Sequence, residues 1–226
     1  MYALESLKIR RRSWFKVANI PAKSVGWTLS DCLPLGNATD YVKHWLEHVK
    51  SDRVIRAYGS SFCGKGVMLY GDAGHGKSTL ASAVLQEMIT TFSLATFKSE
   101  AVLVRPCYFT SYTKLIALKG RTMEPDTSDW DYKLYYGILG ECADDAYNVR
   151  VLVIDDVGHE HMGQNGWSKN LLHEVLRTRF ENGLPTIMTT NLSTEDWVNG
   201  YGDATRNFLF EAFLSIAVEN TSGHLR

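Results

Sequence analysis

No apolar run in this 226-residue sequence approaches the ~20 residues that a membrane-crossing helix needs, so no membrane partner is expected. Short-spaced cysteine pairs are missing too. Cys32, Cys63, Cys107 and Cys142 lie far apart, which argues against a zinc or redox motif and for reduced, packed thiols. Net charge is nearly absent at −1, so the overall balance points to no polyanionic partner. Charge is uneven at the start, where Lys8, Arg10, Arg11, Arg12 and Lys16 stand against Glu5, five positive minus one negative, for a local +4. Those charges occupy the place where a secretory signal would carry its apolar stretch, and the expected location is cytoplasmic. Internal repeats and low-complexity tracts are also lacking. His44 and His48 are four apart on a predicted helix, but no third ligand stands nearby in sequence to make a metal site.

The most informative segment is Gly71-Asp72-Ala73-Gly74-His75-Gly76-Lys77-Ser78, preceded by the strand-like run Gly66-Val-Met-Leu-Tyr70. Glycines at 71, 74 and 76 permit turns that aim successive amide N–H groups inward around phosphates. Lys77 supplies a point charge for the β and γ phosphates, and Ser78 offers a hydroxyl to Mg²⁺. The helix that follows, through Thr79, Leu80, Val84 and Met88, turns its positive end toward the same anion. Residues 71 to 79 are therefore the expected nucleotide-binding loop, with ATP and Mg²⁺ as cofactors.

A second apolar run, Val151-Leu-Val-Ile-Asp155-Asp156, ends in two carboxylates. Asp155 is expected to hold Mg²⁺ and Asp156 to orient the attacking water. A third, Pro185-Thr-Ile-Met-Thr-Thr-Asn191, ends in an amide that can reach the γ-phosphate or the water. Further strands are predicted over 101–110 and 214–218, the first marked by Pro106 as an edge strand. Helices are predicted over about 37–56 and 111–118, and within the aromatic-containing acidic stretch 121–149. Short continuous apolar runs separated by helices predict an α/β fold with a mainly parallel sheet. Residues 1–36 read as a basic segment and irregular lead-in, and 37–226 as the core.

The order of these motifs resembles the AAA+ ATPases of the DnaC/IstB type, a family of bacterial and phage helicase loaders and transposition ATPases. The resemblance rests on Gly71 to Ser78, on Val151 to Gly158, and most specifically on Arg179-Phe-Glu-Asn-Gly-Leu-Pro-Thr-Ile-Met-Thr-Thr-Asn-Leu192. It implies a five-stranded P-loop core without a separate helical lid, assembling as a homo-oligomer in which a neighbour's arginine completes each site. Asn191 then stands at the sensor position. Arg206 is the arginine-finger candidate, with Arg177 and Arg179 as competitors. Lys77, Asp155, Asp156, Asn191 and Arg206 form the implied catalytic set, and an Asp rather than a Glu at 156 implies slow hydrolysis. Implied partners are single-stranded DNA, with Lys114, Lys119 and Arg121 as candidate contacts, and a replicative helicase, in a bacterial cell or phage-infected host. The competing readings are a transposition ATPase coating duplex DNA, a nucleotide-gated scaffold, and a small-molecule P-loop kinase.

Overall fold

A computed structural model describes residues 2–32, 35, 37–93, 95–98, 102–158 and 166–219. Five strands form one sheet in the order β2-β3-β4-β1-β5: β1 Gly66–Tyr70, β2 Cys107–Ser111, β3 Val151–Val157, β4 Thr186–Thr190 and β5 Phe213–Ala217. Every pairing is parallel. Parallel neighbours need crossover connections, and helices supply them.

Alternation along the strands sorts the core into two layers. Val67, Leu69, Val151, Val153, Ile187 and Ile216 face α1 Tyr2–Val17, α2 Asn37–Lys50 and α3 Lys77–Thr91. Met68, Leu152, Ile154, Met188 and Phe213 face α4 Tyr112–Thr122, α5 Asp129–Leu139, α6 Trp167–Glu181, α7 Thr194–Tyr201 and α8 Asp203–Ala212. Local chemistry starts and stops several of these helices. Ser111 and Ser128 accept from the Lys114 and Asp131 amides at the starts of α4 and α5, and Gly140 ends α5 in the left-handed conformation.

The lead-in differs from the irregular segment expected over 13–36. It begins inside a helix, because Trp14 is buried against Phe97 and its indole donates to the Leu103 carbonyl at 2.7 Å. Residues 18 and 19 then run along the β2 edge: the Phe109 backbone amide donates to Ala18 O and the Asn19 side-chain Nδ2 donates to Phe109 O. That contact covers an otherwise unpaired strand edge. Further on, the buried Gln86 of α3 donates to the Ser24 and Trp27 carbonyls and accepts from the Gly26 amide, fixing the turn Ala22–Ser24 against α3. The strand expected from residue 101 starts at Cys107, on the sheet edge that Pro106 suggested. The helix expected to reach about residue 56 stops at Lys50.

At the amino ends of the strands two arginines are fully buried. Arg179 donates to Thr186 Oγ1 and to the carbonyls of Ile138, Val149, Arg150 and Pro185, joining α5, α6, β3 and β4. Arg150 donates to the Phe97 and Asn148 carbonyls and to Asp145. Burial, then the neighbouring Arg150, push the Arg179 guanidinium down to about 9. A charge so deeply buried persists because acceptors surround it.

Candidate functional site

The carboxyl ends of β3, β4 and β1 lie side by side, and the segments leaving them meet at one cavity of about 310 Å³. Its walls include Ala73, Gly74, Gly76, Lys77, Ser78 and Thr79 from the loop, Asp156 from β3, Thr189 from β4, and Asn191 just beyond. Segments far apart in sequence are thus brought together at the end of an open parallel sheet, where ligands of such folds bind.

The loop's shape follows from its glycines. Gly74 and Gly76 hold φ of 81° and 88°, and Gly76 caps the start of α3. At Gly71, with φ of 137°, an added Cβ would come within 2.7 Å of the Val218 carbonyl. A side chain there would push the loop off Val218, the residue that follows β5. Lys77, only 7% exposed, donates its ammonium to the Gly71 and Asp72 carbonyls at 2.8 and 2.7 Å. Burial lowers its pKa, against the pull of Asp72, Asp155 and Asp156, so those three acids lie within electrostatic reach of the ammonium. Phosphate oxygens can take the place of the two carbonyls, and they offer full negative charge instead of a dipole.

The two acids sit on an irregularity. The β3–β4 register shifts between Ile154 and Val157, and Asp156 adopts a left-handed φ of 61° that is uncommon for a residue with a Cβ. A bulge re-aims side chains, and here it turns Asp156 into the cavity. Thr189 reads both acids: its hydroxyl donates to Asp155 Oδ1 at 2.6 Å and accepts from the Asp156 amide at 2.9 Å. Asp155 is half-buried beside this hydroxyl, and Asp156 is the acid that lines the cavity. No cluster of three or more His, Cys, Asp or Glu forms among the described residues. The hydroxyl of Ser78 and these carboxylates are hard oxygen donors, a sparse set that suits Mg²⁺, which keeps waters and phosphate oxygens in its shell.

Two members of this site escaped the sequence reading. Thr189 looks like an ordinary β-branched strand residue, and only its pairing opposite β3 reveals the bond to Asp155. Lys23 lines the same cavity from the lead-in turn. It is placed there by the Gln86 contacts, which no local pattern encodes.

The remaining candidates lie elsewhere. Arg179 is removed from the arginine-finger candidates, since it is 0% exposed and spends its donors on internal acceptors. Arg177 is exposed, paired with Glu181 at 3.3 Å and placed over the Phe208 ring. Arg206 belongs to α8, outside the nucleotide cavity and over the Phe210 ring. On α4, Lys114 is exposed, Lys119 lies 4.4 Å over the Tyr135 ring, and Arg121 pairs with Asp131 at 3.1 Å. His44 and His48 meet each other, and His48 stacks on Phe62.

Residues 135–216 match a family model described as IstB-like ATP binding protein. The crystal structure of the DnaC helicase loader superposes with a TM-score of 0.60 at 20% identity, covering 88% of this chain and 100% of that one. The chain is thus similar to IstB-like ATP-binding proteins over that segment, and it shares the fold of the DnaC helicase loader. DnaI is similar at a TM-score of 0.59 and 17% identity, over 89% of this chain and 96% of that one. The replication initiator DnaA bound to AMPPCP and single-stranded DNA gives a TM-score of 0.57 at 16% identity, over 89% of this chain and 51% of that one. No curated protein matches by sequence. The five-stranded parallel sheet flanked by helices is the AAA+ fold that the family resemblance implied. No helix among the described residues is long and apolar enough to cross a membrane.

Proposed function

We propose that this AAA+ protein is a Mg²⁺-dependent ATPase that serves DNA replication as a helicase-loader-like accessory protein, oligomerising on single-stranded DNA to load or remodel a replicative helicase. The observation that carries the ATPase reading is the single cavity shared by the glycine loop, Lys77, Ser78, Asp156, Thr189 and Asn191. In this reading residues 71–79 bind the triphosphate and Lys77 neutralises it. Ser78 and Asp155 hold Mg²⁺, which when bound offsets phosphate charge. Asp156 and Asn191 position the attacking water, and Thr189 positions both acids. The lead-in, residues 1–36, contributes Lys23 to the core formed by 37–226.

Hydrolysis is slow in the isolated chain, because Asp156 is one methylene shorter than the Glu common at this position and because Arg206 acts on a neighbour's site. An arginine supplied in trans accelerates phosphoryl transfer by ~10³-fold or more, which makes turnover depend on assembly. Likeness to the DnaC helicase loader, and to an initiator bound to single-stranded DNA, supports the replication role and the cytoplasmic location. Lys114 is the leading DNA contact, its neighbours Lys119 and Arg121 being engaged within the chain.

The IstB-like match favours one second reading, an ATPase that coats duplex DNA and recruits a transposase. Light scattering with Mg-ATP on single-stranded and duplex DNA separates the two. Oligomers on single strands, lost in Lys77→Ala, support the loader. Filaments on duplex support the transposition ATPase, and a monomer that binds neither DNA overturns both.

A further inference from the structure

A second cavity lies on the sheet face opposite α3, where Met68 and Tyr70 of β1 and Ser215 of β5 are roofed by α7 and α8. It is smaller, about 80 Å³, and its other walls are Leu192, Trp197, Arg206, Leu209 and Phe210. Five polar side-chain atoms among the described residues are buried without a hydrogen-bond partner, and three of them, Trp197 Nε1, Arg206 Nε and Ser215 Oγ, belong to residues lining this cavity. Trp197 is 3% exposed, so its indole N–H has no ready access to solvent. A buried donor left unpaired is costly, and native proteins leave few of them. Three around one small space point to an acceptor that belongs there.

The lining also constrains that acceptor. Two of the three groups are donors only, the third is a hydroxyl that can donate, and the guanidinium carries a positive charge. None of the lining side chains is acidic, so nothing inside the cavity compensates that charge. The rest of the wall is aliphatic or aromatic. The volume exceeds the ≳10–15 Å³ needed for one water by several-fold, yet holds no more than a few heavy atoms. We infer that this cavity binds a small organic carboxylate with a short aliphatic body. Its oxygens accept from Trp197 Nε1, Arg206 Nε and Ser215 Oγ, which leaves the terminal nitrogens of Arg206 for a neighbour's site, and its carbon body lies against Met68, Leu192 and Leu209. The site is on the other face of the sheet from the nucleotide cavity, and the inference does not depend on ATP binding.

The test uses the full chain and the indole N–H resonances of its six tryptophans. Trp197→Phe identifies the Trp197 signal while keeping an aromatic wall. Acetate and butyrate are titrated against ethanol and butanol, at ionic strength matched with sodium chloride. The expected result is a saturable shift of the Trp197 indole N–H with the acids and none with the alcohols or salt. Ser215→Ala should weaken the acids about five- to tenfold, as for one lost hydrogen bond. The other five indole signals in that variant report that the fold is intact. A shift that never saturates, an equal response to acids and alcohols, or an unchanged affinity in a folded Ser215→Ala would overturn the proposal.

Discussion

The two ends of β3 and β4 carry charge in opposite ways. At the amino ends Arg179 and Arg150 are buried at 0% exposure, and their donors point at fixed backbone carbonyls, Thr186 Oγ1 and Asp145. At the carboxyl ends Asp155 is half-buried, Asp156 is exposed, and Lys77 holds carbonyls of its own glycine loop. Irreplaceable partners make the first end a lock. Replaceable partners make the second end a site. One sheet thus separates stability from chemistry along the length of its strands, and substitutions should divide the same way.

The largest effect is expected at the lock. Arg179→Ala leaves four carbonyls and a hydroxyl without their donor and should lower unfolding free energy by about 3 kcal/mol or more in urea titrations. Arg177→Ala, two residues away but exposed, should stay within ~0.5 kcal/mol. Equal losses in the two variants would erase the distinction between the ends.

Next comes Lys77→Ala, which removes the charge proposed to contact phosphate. Affinity for Mg-ATP measured by calorimetry should fall about 10- to 100-fold, while stability without nucleotide changes little. Thr189→Val keeps strand shape but removes the hydroxyl between Asp155 and the Asp156 amide. Turnover measured by phosphate release should drop about tenfold or more with nucleotide affinity nearly kept, because the acids lose orientation rather than charge. Affinity falling along with turnover would show that Thr189 shapes the loop instead. The smallest effect belongs to Lys23→Ala. An exposed lysine contributes about 0.2–1 kcal/mol, so nucleotide affinity should weaken two- to fivefold, and less at high salt.

Legibility in the sequence followed the same division. The loop, the two acids and Asn191 were readable because each ends or follows a short apolar run, and the sheet brings those ends together. Strand number and the parallel arrangement came from the same runs. Arg179 was misread as a candidate for a neighbour's site, since a helix-borne arginine carries no sequence mark of being buried. Thr189 and Lys23 were invisible for a related reason. One acts through a partner on the adjacent strand 34 positions away, the other through Gln86, about 60 positions away from the turn it anchors. The helix at the N-terminus was obscured by its run of basic residues, and Trp14, the side chain that docks it, looked like one aromatic among many.

The carboxyl-end cavity is claimed to take Mg-ATP, and a ligand that binds only the folded chain must stabilise it. The decisive measurement is the urea unfolding of the wild-type chain and of Lys77→Ala, each with saturating Mg-ATP and without it. The expected result is a gain of ~2.7 kcal/mol at a hundredfold excess over the dissociation constant for the wild type, and little or none for Lys77→Ala at the same concentration. No gain in the wild type, or the same gain in both, would contradict the claim.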